Sequence, residues 1–170
     1  WDRVERAEPH GGAAPGAARA LLDGRAAAGR GVRYGVDVVE AELDEALARK
    51  GVILTSLAAA AVEHPTLVRE PLAGRALPPT AGKFAALNAA LWTGGLFLYV
   101  PRGVRLDAPI RVVHWIDRAG VAYLPRTLIV AGEGSHAAVV EEYVSPDFDA
   151  PVFVNGAVEL YAGNAADVQY

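Results

Sequence analysis

From position 95 to the end, apolar residues fall in short runs rich in Val, Ile, Leu and Tyr, broken by Gly, Pro and Asn. That is the punctuation of strands. Before position 95 the spacing is helical. From Val38 on, Val39, Leu43 and Leu47 recur at i, i+4 and i+8, one stripe of a helix that Gly51 stops. Val52-Ile53-Leu54 reads as a short strand. Ser56 is placed to cap a helix that ends before Pro65, Thr66 to cap one further turn before Pro71, and a third helix is predicted over Lys83–Leu91. Residues 1–35 carry Ala, Gly, Pro and Arg with little periodicity, as in Gly11-Gly12-Ala13-Ala14-Pro15-Gly16, and predict a flexible segment with little order. The pattern divides the chain into that segment, a helical region over 36–94 and a β region over 95–170.

The β region repeats. Leu98-Tyr99-Val100-Pro101-Arg102-Gly103, Leu128-Ile129-Val130-Ala131-Gly132-Glu133 and Glu159-Leu160-Tyr161-Ala162-Gly163-Asn164 begin 30 and 31 residues apart. Each is an apolar strand running into a turn with Gly, followed by a second apolar stretch such as Ile110 to Trp115 or Ala138 to Val144. Stacked rungs of a β-solenoid produce a fixed period of this kind, because every rung returns to the same lateral position. Leu98, Leu128 and Leu160 or its neighbour are then expected to stack. A β-sandwich is the competing reading, although its turns recur every 8 to 12 residues with no longer period.

Composition narrows the function. With 52% hydrophobic residues in 170, the chain can bury a core. The net charge is -4, and the basic residues, 14 of 16 of them Arg, are scattered, so no basic face exists for nucleic acid. There is no Cys, so neither disulfides nor thiolate-held metal or cluster arises from this stretch. The first residue is Trp1 and Met is absent, which points to a segment of a longer reading frame. No basic, apolar and cleavage-site succession marks a signal peptide. The longest uncharged run, Phe84 to Pro101, is 18 residues, but Asn88 and Thr93-Gly94-Gly95 divide it into two halves suited to a core and not to a membrane span.

Three blocks in order resemble the SufB/SufD family of the SUF iron–sulfur cluster assembly system. They are Gly51-Val52-Ile53-Leu54-Thr55-Ser56-Leu57 with His64-Pro65, the run from Lys83 to Val104, and Arg126-Thr127-Leu128-Ile129-Val130 ahead of Glu133-Gly134-Ser135. The resemblance covers about 50 to 170. It implies an α+β fold in which a short helical region precedes a right-handed parallel β-helix, here truncated after its opening rungs. Within the family, SufB-like chains resemble one another in an Arg and an Asn before the Arg-Thr-Leu-Ile block and a Cys in the next rung, lining the β-helix interior. The matching positions here are Trp115, Asp117 and Tyr143, so that polar, thiol-bearing path is expected to be gone; Gln169 alone keeps a SufB-like residue. Ala89-Ala90-Leu91-Trp92-Thr93-Gly94-Gly95 and Glu141-Glu142-Tyr143 are similar to SufD. The resemblance thus implies a non-catalytic, cytoplasmic scaffold subunit that pairs with a SufB-like paralogue and a SufC-type ABC ATPase. It would bind no cofactor itself, the cluster residing on the partner. A divergent SufB-like scaffold, a β-helical carbohydrate-active enzyme and a purely structural solenoid are the rival readings. A fragment with an unpaired last rung would also tend to self-associate.

No catalytic, cofactor or metal residue is assigned, and the candidates have simpler readings. His10, His64, His114 and His136 lack the paired spacing of a metal site. His64 stands at a helix end where a cation is favoured, while His114 and His136 lie in strands where one of them can turn inward. Asp147 and Asp149, with Glu141 or Glu142, could make a hard-cation group, yet flanking prolines favour a solvated turn. Glu141 and Glu142 alternate across a strand, so one faces inward and needs a partner, a raised pKa or hydration at the strand end. Gly132-Glu133-Gly134-Ser135 lacks the features of a phosphate loop, and Ser135 those of a nucleophile elbow. Trp92 and Trp115 are read as core.

Overall fold

The computed structural model describes residues 5–9, 12–72 and 74–170; His10 lies outside them. The fold is α+β. Its β part is built from β5 (Leu96–Val100), β6 (Ile110–Trp115), β7 (Val121–Tyr123), β8 (Arg126–Ala131), β9 (His136–Val144), β10 (Phe153–Val154), β11 (Ala157–Ala162) and β12 (Asp167–Gln169). These strands visit three sheets in one repeating order. β5, β8 and β11 pair in one sheet, β6, β9 and β12 in a second, and β7 with β10 in a third, every pair parallel. The strands around 98 and 128 therefore share a sheet, as the repeat predicts.

The register corrects the expected stack by one residue. Leu98 sits opposite Ile129, which sits opposite Leu160, whereas Leu128 lies between Phe97 and Glu159. One residue matters because side chains alternate across a strand. Leu98, Ile129 and Leu160 consequently meet Ile110, Val112, Ala137 and Val139 between the two larger sheets, while Phe97 and Leu128 pack on the opposite side of their sheet with Leu57 and Ala60. The turns stack as well. A Cβ on Gly132 would lie 2.5 Å from Arg102 N, and one on Gly163 2.7 Å from Glu133 N, so the recurring glycine is dictated by one turn lying against the next.

The first third of the chain supplies more strand than its sequence predicts. β1 (Glu5–Arg6) pairs in parallel with β7, and β2 (Gly29–Tyr34) in parallel with β6 over six residues. Between them Ala18 of α1 (Gly16–Ala20) and the flanking Ala14 and Leu22 pack on Val32 and Val113. Residues 16–34 are thus not the expected segment of little order. The helix expected from Val38 is also corrected: Asp37–Leu43 forms β3, antiparallel to β2, and Asp44 then caps the short α2 (Glu45–Arg49) by accepting from Ala46 N and Leu47 N. Val38 and Val39 are β-branched and β2 offers them an edge, so pairing overrides the helical spacing. β4 (Ile53–Ser56) lies antiparallel on β5. The region before 95 is therefore mixed.

Ser56 caps α3 (Leu57–Glu63) through Ala59 N, and α5 is Lys83–Leu91, both as the sequence predicts. α4 (Pro65–Val68) starts at Pro65 with His64 as its N-cap, so Thr66 lies inside that helix and does not cap it. Proline at the first helical position loses no hydrogen bond, which makes it the better start. Among the described residues no helix is long and apolar enough to cross a membrane.

Candidate functional site: a polar seam between the sheets

The inward positions of β2 are Gly29, Gly31 and Arg33, opposite Ile110, Val112 and His114 of β6. His114 in turn lies opposite Tyr143 of β9. Arg33, His114 and Tyr143 therefore form a ladder across three adjacent strands on the face that carries the apolar core. On β9 the same face holds Ala137, Val139 and Glu141, and on β8 it holds Thr127 beside Ile129. The apolar interior thus turns polar towards one end of its strands.

His114 is fully buried. Its Nε2 is 3.0 Å from Glu141 Oε2, with the Glu141 side chain 1% exposed, and its ring stacks on Tyr143 at 4.4 Å between centroids and 7° between planes. Burial alone would raise the Glu141 pKa. The hydrogen bond and charge of His114, joined by the Thr127 and Tyr170 hydroxyls, outweigh it and hold the carboxyl below the ordinary range. Burial, with the Glu141 charge, raises Tyr143 and pushes Tyr170 up to about 12. Arg33 is 1% exposed. Its Nη2 donates to Thr93 O at 2.7 Å, and desolvation lowers its pKa to about 10, so it stays charged at neutral pH.

The depressed Glu141 pKa gives a signed prediction. Stability from this carboxylate is present above its unfolded pKa of about 4.3 and is lost as pH falls through the lower folded value. Glu141→Gln should cost about 1–3 kcal/mol at pH 7, with the difference from wild type shrinking below about pH 4. Urea unfolding across pH 3 to 7 measures this, and a cost that does not change with pH would contradict it.

A second buried cluster lies on the other side of the β8 sheet. Arg126 and Glu159 are both 0% exposed, and Arg126 Nε and Nη2 donate to Glu159 Oε1 at 2.9 and 2.7 Å. Arg126 Nη1 donates to Asn88 Oδ1 at 2.8 Å, and Asn88 Nδ2 donates to the carbonyls of Pro125 and Asn155. Asn155 Nδ2 closes the network on Phe84 O. This cluster pins α5 to two successive strands.

The other candidates separate. Glu142 turns outward and takes Arg25 at 2.7 Å. Asp147 and Asp149 are exposed, and no group of three or more His, Cys, Asp or Glu able to hold a metal forms among the described residues. His136 Nδ1 meets Asp167 Oδ2 at 3.0 Å on the surface, and Ser135 Oγ donates to Gly132 O within its turn. Trp115 packs outward towards α1, and Trp92 is half-buried beside Phe97. The expectation that the polar path is gone needs correction. Thiols are absent, but Arg33, His114, Thr127 and Glu141 keep the interior polar. Trp115 takes an outward position on β6, and the inward residue is its neighbour His114. Arg33 was hidden in a segment with no periodicity, since two glycines precede it on its face.

Comparison with known families decides the identity of the fold. Residues 37–112 match the SufBD protein N-terminal region, and residues 114–170 match the SUF system FeS cluster assembly SufBD core domain. The chain belongs to the SufBD family. It is 35% identical over 143 residues to an iron–sulfur cluster assembly SufBD family protein of Staphylococcus epidermidis, covering 84% of this chain and 30% of that protein. Counterparts in Staphylococcus haemolyticus and Staphylococcus aureus are 34% and 33% identical over the same length and shares. The chain thus spans about a third of these SufBD relatives, and the seam and the α5 network both lie in the matched region except for Arg33, which precedes it.

Proposed function

We propose that this SufBD chain is part of a SufD-like, non-catalytic scaffold subunit that works in iron–sulfur cluster assembly beside a SufB-like paralogue and a SufC-type ATPase. The observation that carries this reading is the match of residues 37–170 to the two SufBD family regions in a chain without a single Cys. The cluster is cargo that needs several converging donors, usually thiolates. Here the inward His114 and Glu141 engage each other. The nascent cluster then resides on the thiol-bearing partner, in the cytoplasm where such machinery meets its ATP. The three parallel strand stacks support a right-handed parallel β-helix, of which this chain forms the opening rungs and β1, β2 and β4 the cap. A SufB-like reading draws on the polar interior, and the missing thiols weigh against it. Anaerobic reconstitution with iron and sulfide tests the division of labour. The full reading frame alone should take up no stoichiometric cluster while a co-expressed thiol-bearing partner does, and a stable cluster on this subunit alone would overturn the reading.

A further inference from the structure

α5 runs along the stack of rungs and not across it. Just past its C-terminal end Thr93 N donates to Leu124 O, in its middle Asn88 Nδ2 donates to the carbonyls of Pro125 and Asn155, and at its first turn Phe84 O accepts from Asn155 Nδ2. Leu124-Pro125 is the corner between β7 and β8. Asn155-Gly156 is the same corner one rung later, because the register repeats every 31 residues, from Ala122 to Phe153 and from Arg126 to Ala157. The nine residues of α5, at 1.5 Å each, extend for about 13 Å, nearly three strand spacings of about 4.8 Å. The corners that hold it are two, so its first turn overhangs the stack.

That overhang is apolar. Phe84 is 47% exposed and Val154 of β10 40%. The Phe84 ring lies 6.3 Å from that of Phe153, with Lys83 Nζ 5.0 Å from its centre. On the same side β10, β11 and β12 are each the last strand of their sheet among the described residues, so three parallel edges stand open beside the apolar pair.

We infer that the first turn of α5, with Val154, is a docking surface for the next corner of this same chain, the residues one period beyond Asn155-Gly156, which set an apolar side chain under Phe84. The inference rests on the β-helix reading proposed above. Length allows it: this chain covers 30% of its Staphylococcus epidermidis relative. Register favours it over other occupants, because a continuing rung meets all three open edges and Phe84 in one step. A second copy or an unrelated protein would have to match four separate features at once. The side chain that arrives is apolar because Phe84 and Val154 offer it no hydrogen-bonding group.

The test uses the full reading frame. Benzoylphenylalanine placed at position 84 and irradiated should give a product of monomer mass, with the cross-link mapping to the corner one period beyond Asn155. Alkylation of Phe84→Cys, followed by mass spectrometry of its own peptide, should be at least about tenfold slower than that of Val62→Cys. Val62 is 80% exposed against 47% for Phe84, so exposure as described here would separate the two rates by less than about twofold. Should Phe84→Cys fail to fold, the cross-link decides. A cross-link to a second copy or to another protein, one confined to Phe153 and its neighbours, or similar alkylation rates would overturn the proposal. Failure of the β-helix reading shows differently: the sequence after Tyr170 would carry no further apolar strands at the 31-residue period, whereas failure of the docking alone would leave that period intact and Phe84 reactive.

Discussion

Arg126→Met should lower the stability of the protein by about 3–5 kcal/mol, the range seen when one partner of a buried ion pair is removed. The size follows from the setting. Both side chains are fully buried, and the substitution leaves Glu159 in the interior without its arginine and Asn88 without the donor to its Oδ1. Neither group reaches water, so solvent does not screen the pair. Replacing both partners by apolar residues of similar volume, as in Arg126→Met with Glu159→Leu, should recover most of the loss, since the desolvation of two charges is then avoided. Urea unfolding of the three variants in the full reading frame measures this. A single-variant cost below about 1 kcal/mol, or a double variant as unstable as the single, would show that the pair does not hold α5 to β8 and β11.

Deleting residues 1–35 from the full reading frame should make the protein more prone to aggregate. The deletion takes away β2, which covers the edge of β6 over six residues from Ile110 to Trp115. It also removes α1, whose Ala18 is fully buried against Val32 and Val113. The bare edge of β6 then presents unpaired backbone groups flanked by apolar side chains, a template for intermolecular pairing. Light scattering and the thermal midpoint of the truncated and intact proteins decide the point. A shortened protein that stays monodisperse with an unchanged midpoint would mean that β2 is not needed to protect the edge of β6.

What could be read in the sequence divides along physical lines. α3 and α5 were legible because Ser56, Pro65 and the Gly94-Gly95 break are local signals that need no tertiary partner. The repeat was legible because each turn needs a glycine where backbone approaches backbone at Gly132 and Gly163. Its register slipped by one because Leu98 and Leu128 match as letters while Leu98 and Ile129 match as contacts. β2 was invisible, since Gly29 and Gly31 occupy its inner face and leave no hydrophobic alternation to detect. β3 and α2 mimicked one helix because Leu43 and Leu47 reach the same core from two different elements.

The candidate site was half legible for the same reasons. Alternation required one of Glu141 and Glu142 to face inward and seek a partner, and His114 was already marked as a strand residue able to turn in. That the two meet depends on the offset between β6 and β9, where Val112 faces Glu141 and His114 faces Tyr143, and no local pattern encodes that offset. Arg126 and Glu159 were passed over as parts of apolar runs. A charged residue inside such a run is itself the signal: one in β8 and one of opposite sign in β11, near the repeat distance, is what a buried cross-strand pair looks like in one dimension.

The most direct test of the scaffold assignment is affinity purification of the tagged full reading frame co-expressed with a Cys-bearing SufBD paralogue and the ABC-type ATPase of the same system. The account predicts a stable complex of all three, with iron and acid-labile sulfide on the paralogue after reconstitution and none on this subunit. Failure to retain either partner, with the protein itself intact and monodisperse, would contradict it.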